Sequence, residues 1–185
     1  MKHLNTAQPA WLPHSEFAEI EAAFKDWKET LPPGLQFSEE GLYMRKESAQ
    51  VGALCMLHIT YNHSLCDLYR IGMPKLFRIR SAMQFLPEQH EFLRKVQDQC
   101  FEHAKKVALV FGEAIQHGAK TLSDTWLSTV AYDSSRILLY YLTQVIGTSH
   151  ERSESLWKET ASLLQANLRA QRIMIPMYSM AKPLV

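Results

Sequence analysis

Four residues in one short stretch have the chemistry to grip a metal ion: Cys55, His58, His63 and Cys66, with two, four and two residues between them. Thiolate and imidazole are preferred zinc donors, and a tetrahedral site draws four of them to within about 4 Å of one another. The apolar residues around them recur at helical spacing, however, and at 1.5 Å per residue a helix sets Cys55 and Cys66 about 16 Å apart along its axis. One ion cannot span that distance. Two half-sites, Cys55/His58 and His63/Cys66, would each need ligands from another segment, and no other cysteine or histidine pair is obviously supplied. No metal ligand is therefore assigned, and the cysteines are expected as small core residues.

Nucleophilic chemistry fares no better. Ser64 with Asp67, Asp133 with Ser134 and Ser135, and eight histidines allow triads on paper. None stands in an activating context: there is no G-x-S-x-G elbow, H-E-x-x-H, P-loop or G-x-G-x-x-G. No catalytic or cofactor-binding residue is assigned, and the chain is not expected to be an enzyme. His58 lies between Leu57 and Tyr61 on an apolar stripe, where a neutral imidazole can donate to a buried carbonyl or hydroxyl and fix packing. Arg70, at the end of the same helix, is placed to meet the negative end of the helix dipole or an acidic neighbour. The segment Lys75–Arg80 interleaves Lys75, Arg78 and Arg80 with Leu76, Phe77 and Ile79, a pattern expected of a solvated loop docked by its apolar residues. Met174, Met177 and Met180 are expected as gap-filling side chains.

The elements that must position these residues follow from the whole chain. Its 185 residues are 46% apolar and 21% charged, enough for one domain with one sizeable core. Twenty basic against nineteen acidic residues leave +1, so no global charge attracts a nucleic-acid backbone. Three cysteines are an odd number for a disulfide framework and point to reduced thiols inside a cell. Met1–Pro13 lacks the apolar run of a signal peptide and is expected to be loosely ordered, and no window is apolar enough to span a membrane.

Apolar residues repeat at three and four rather than two, which predicts helices throughout. A first helix is predicted from about Ser15 to Thr30, with Phe17, Ile20, Phe24, Trp27 and Leu31 on one stripe, stopped by Pro32-Pro33-Gly34. Residues 35–46 show no clean period and read as a connector. A second helix carries Leu54, Leu57, His58, Tyr61, Leu65, Leu68 and Tyr69, ending at Gly72 and Pro74. A loop from Met73 to Leu86 leads to a long helix from Pro87 to about Gln116, with Phe92, Val96, Cys100, His103, Val107 and Val110 on one face and Gly118 at its end. From Ser123 to Ile146 apolar residues surround most of the circumference, including Trp126, Leu139 and Tyr141, which predicts a central helix packed on several sides. After Gly147, Thr148 and Glu151 have capping-box spacing for a fifth helix, interrupted at Ile175-Pro176. The expected fold is all-α, a bundle-like packing of four to five long helices in a single domain, 1–185.

The stretch Leu57-His58-Ile59-Thr60-Tyr61-Asn62-His63, continuing through Leu65-Cys66-Asp67-Leu68-Tyr69-Arg70-Ile71 to Pro74, resembles the helical regulatory region of fungal binuclear zinc-cluster transcription factors, also called the middle homology region. The later run Trp126–Leu142 is similar to a subgroup of that family in which this segment follows a long helix. The likeness extends over roughly residues 10–182 and is firmest at 54–74, with Leu57, His58, Tyr61, Leu68, Arg70 and Pro74 as the matching positions.

This resemblance implies a regulator of RNA polymerase II transcription in a fungal nucleus, commonly dimeric, working through contacts within the chain, with co-regulators or with small molecules. A full-length relative carries two zinc ions in a six-cysteine module that reads DNA. Three scattered cysteines cannot build that module, so DNA reading and zinc are not carried over. The chain is expected to be the C-terminal part of such a regulatory domain, or a protein pairing with a full-length relative, and to expose apolar surface that a partner would cover. Two other readings stay open. One is a small-molecule-sensing or stand-alone interaction module with a pocket anchored by His58, Tyr61 and Tyr141; the other is a helical enzyme with titratable groups converging in one cleft.

Overall fold

The computed structural model describes residues 8–47, 50–77, 85–146 and 150–179. Among them are seven α-helices and no strand: α1 (Glu16–Glu29), α2 (Glu39–Glu47), α3 (Val51–Tyr69), α4 (Pro74–Phe77), α5 (His90–Gln116), α6 (Trp126–Tyr140) and α7 (His150–Ser179). Five of these are long, so the all-α bundle expected from the periodicity is what the chain forms. Arg78, Arg80, Gly147, Thr148 and Met180 lie outside the described residues, as do residues 1–7.

Local chemistry sets the helix ends. The Ser15 hydroxyl accepts from the Ala18 amide at 3.2 Å, satisfying one of the free N–H groups at the start of α1. That hydroxyl also donates to the Ala10 carbonyl, and Trp11 meets Phe85 edge-on, contacts that join residues 10–15 to the body. At the other end of the long α5, Gly118 turns the chain with φ +96°, a conformation that only glycine adopts without steric cost.

Four expectations about elements are corrected. Residues 35–46 are not a plain connector: a tight turn at Pro33–Leu35 leads into α2, a short helix whose apolar residues are too few for a visible stripe. The expected loop after Met73 begins with a helical turn, α4, and Pro74 at its first position needs no intrahelical N–H partner. Pro176 does not interrupt α7, which runs through to Ser179. Proline removes one backbone bond there, but Arg172 and Pro176 are exposed, so water can serve the freed carbonyl. Finally, the central helix is α5, which packs against α3, α6 and α7. On α6, Trp126, Tyr132 and Leu139 remain exposed, because its apolar circumference exceeds what its neighbours cover.

Two apolar clusters share α5. One joins Phe17, Leu65, Cys66, Cys100, Phe101 and Ile137; the other joins Val51, Cys55, Ile59, Phe111, Leu127 and Met174. Burying each large apolar side chain contributes about 1.5–3 kcal/mol, and α5 contributes to both clusters, so it is the beam on which the rest is hung. Among the described residues no helix is long and apolar enough to cross a membrane.

Candidate functional site

Helix α1 leaves part of its apolar stripe uncovered. Phe17 is buried, while Ile20 and Trp27 are 46% and 38% exposed. They face α3 across an open apolar groove of about 710 Å³, walled by Ile20, Phe24 and Trp27 on one side and by Met56, Leu57 and Tyr61 on the other. Tyr61 is the partition at its inner edge. Its ring stacks on Trp27 at 5.0 Å and meets Phe24 and His103 edge-on.

Behind Tyr61 the surface changes character. A recess of about 290 Å³ lies between α1, α3 and α5, with Phe37, Leu109 and Val110 as apolar walls and Lys28, His58, Asn62 and Lys106 as polar ones. A second cleft adjoins it and shares Lys28, Tyr61 and Lys106, adding His103 and Tyr69. Burial pushes the Lys28 ammonium below its usual range, and the like charge of Lys106 pushes it further.

A line of hydrogen bonds runs under this recess. His58 Nε2 lies 2.8 Å from the Leu35 carbonyl, so that nitrogen carries the proton. Asn62 Nδ2 donates to the His58 carbonyl at 2.7 Å, which turns Asn62 Oδ1 toward His103 Nδ1 at 2.9 Å. An amide oxygen only accepts, so His103 Nδ1 is the donor. Burial first, then Lys106, pull the ring's pKa down to about 4, so near neutral pH it is uncharged with Nε2 bare. Burial also lowers His58, with Lys28 adding to it and the bond to Leu35 opposing. His103 stacks on Tyr69, whose hydroxyl donates to Glu21 at 2.8 Å; the second Glu21 oxygen accepts from Lys95 at 2.9 Å. The line thus ties the turn before α2 to α3, α5 and α1.

Of the three residues expected to anchor one pocket, the structure brings together His58 and Tyr61 and separates Tyr141. Tyr141 follows α6, stacks on Phe101 at 4.1 Å and donates to Asp98 at 2.5 Å, within the first apolar cluster. It clamps the end of α6 to α5 and lines neither the groove nor the recess. The remaining motif positions divide similarly. Leu57 walls the groove, Leu68 packs against the first cluster, Arg70 meets Asp67 at 3.1 Å, and Pro74 opens α4.

The Cys/His run on α3 scatters over the helix. Cys55 is in one apolar cluster and Cys66 in the other; the Cys66 thiol faces the Cys100 carbonyl and the Cys100 thiol faces the Cys66 carbonyl. His63 lies between Asp67 and Asp133 at 3.7 and 3.8 Å. Among the described residues no three His, Cys, Asp or Glu side chains converge as metal ligands would.

Sequence reasoning missed Lys28 and Lys106. They are 78 positions apart, and only the i, i+3 spacing of His103 and Lys106 hinted that a cation would flank the buried imidazole. Comparison with family models, with curated proteins and with solved structures finds no match to this chain.

Proposed function

We propose that this chain is the helical regulatory domain, or most of one, of a fungal transcription regulator of the zinc-cluster class, acting in the nucleus through protein contacts rather than chemistry of its own. The observation that carries the reading is the open apolar groove on α3, the helix holding the stretch that resembles the regulatory region of such proteins. Exposed apolar surface rimmed by polar residues marks a contact site for another chain or segment, and a two-helix groove accepts the apolar face of a third helix. Ile20, Trp27 and Leu57 would be the contact residues. DNA would be reached through a zinc-cluster module carried elsewhere in the assembly, either in the same protein or in a dimer partner.

The test is tethering. The 185-residue chain is fused to an unrelated DNA-binding domain and transcription of a reporter is measured in a fungal host. The fusion should change output relative to the DNA-binding domain alone, and Trp27→Glu or Leu57→Glu should abolish the change while leaving the circular dichroism of the chain intact. An unaltered reporter, or a change that survives both substitutions, overturns the proposal.

A further inference from the structure

We propose that the recess between α1, α3 and α5 is a binding site for a small organic anion: a doubly charged head, of the phosphate-monoester kind, on a short apolar or aromatic body. Lys28 and Lys106 hold the charge, and Phe37, Leu109 and Val110 receive the body. The inference rests on the geometry of the recess, not on the regulatory assignment.

The first argument is an imbalance of charge. Several cations elsewhere on this molecule have carboxylate partners, among them Lys25 with Glu29, Lys95 with Glu21, and Lys158 with Glu154. Lys105 has two, at 3.5 Å from Glu102 and 2.6 Å from Glu159. Its neighbour Lys106 has none among the described residues, and neither does Lys28. Both residues line one cavity, and Lys106 is close enough to add to the lowering of the Lys28 ammonium. Among the described residues no carboxylate lines the recess. Those bordering the adjoining cleft are engaged, Glu21 by Tyr69 and Lys95 and Glu29 by Lys25.

The second argument is the shape of what remains. A cavity walled by like charge and low-dielectric side chains focuses potential and concentrates counter-ions of the opposite sign. Two ammonium groups match a head carrying about two negative charges, and lysine binds phosphate as a point charge. The apolar walls would gain nothing from a bare inorganic ion, whereas a ring or short chain attached to the head would leave water there. Tyr61, whose hydroxyl has no hydrogen-bond partner among the described residues, stands at the mouth as a further donor. The line of bonds from His58 through Asn62 to His103 is already satisfied. It holds the floor in place without competing for the ligand.

The experiment is calorimetric titration of the full chain with four probes: phenyl phosphate, benzoate, inorganic phosphate and benzyl alcohol. Phenyl phosphate should bind, benzoate more weakly, and the head or the ring alone weakest. Lys28→Met and Lys106→Met should each weaken phenyl phosphate by at least about tenfold, equivalent to about 1.4 kcal/mol. Lys158→Met, which removes an equal charge from a distant exposed site on α7, should change it by less than about twofold. All three positions project from helix surfaces, and a far-ultraviolet spectrum checks that the variants fold. No heat with phenyl phosphate at millimolar concentration overturns the site, as does equal weakening by Lys158→Met. Inorganic phosphate binding as tightly as phenyl phosphate overturns the apolar half of it. These heats are independent of the tethered reporter, so failure of either proposal is read separately.

Discussion

Acidification from about pH 7.5 to about pH 5 should cost this fold about 2 kcal/mol through His103 alone. The ring is 7% exposed, gives its Nδ1 proton to Asn62, and has its pKa held at about 4 by burial and by Lys106. From α1 Lys28 and Glu21, from α3 Tyr61 and Tyr69, and from α5 Lys106 and Gln99 line the same cleft. In the unfolded chain the ring titrates near 6.5. The sign follows: as pH falls below about 6.5 the unfolded state takes up a proton that the native state refuses, so unfolding gains. The loss ends near pH 4, where the native ring also protonates and the full gap is worth about 3 kcal/mol. Urea unfolding followed by circular dichroism at several pH values measures it. His58 adds to the wild-type slope, because burial lowers it too. The comparison is therefore with His103→Gln, which can still donate to Asn62 but does not titrate. The variant should lose about 2 kcal/mol less over the same interval, whatever its stability at neutral pH. Equal slopes for both proteins, or a His103 ring seen by NMR to titrate near 6.5, would refute the reasoning.

Three further outcomes follow from named contacts. Tyr141→Phe removes a buried donor to Asp98 and should cost about 1–2 kcal/mol in unfolding free energy, whereas Tyr61→Phe, which loses a hydroxyl without a partner among the described residues, should cost under about 0.5 kcal/mol. Gly118→Ala meets no atom within 4 Å, so its cost is the positive φ by itself, about 1 kcal/mol by thermal or chemical melting. All three cysteines are buried, with Cys55 pushed up to about 11 by burial and by Glu113 and Cys66 raised by burial and Cys100. A thiol reagent at about pH 8 should therefore leave the native chain nearly untouched and modify all three in denaturant; rapid native reaction would contradict that burial.

What the sequence determined by itself is the set of five long helices and several of their ends, but not the short α2 and α4. Apolar residues at three and four, Ser15 before α1, paired prolines after it, and Gly118 after α5 act through bonds that reach four residues along the chain, so a linear reading captures them. The apolar face of α5, from Val96 through Cys100 and His103 to Val110, was legible for the same reason. What tertiary structure decided is which faces are covered and which distant residues meet. Nothing local distinguishes the buried Phe17 from the exposed Ile20 and Trp27 on one stripe, because the angle and distance at which α1 lies on α3 set the difference. Tyr61 and Tyr141 looked alike as polar anchors on apolar helices, yet packing sent one to the mouth of a recess and the other to a clamp on Asp98. Lys28 and Lys106 became neighbours because α1 and α5 pack on the same side of α3. Helix formation is encoded within a few turns of chain; convergence of charge across three helices depends on how whole side-chain surfaces interlock, and no short window of residues contains that information.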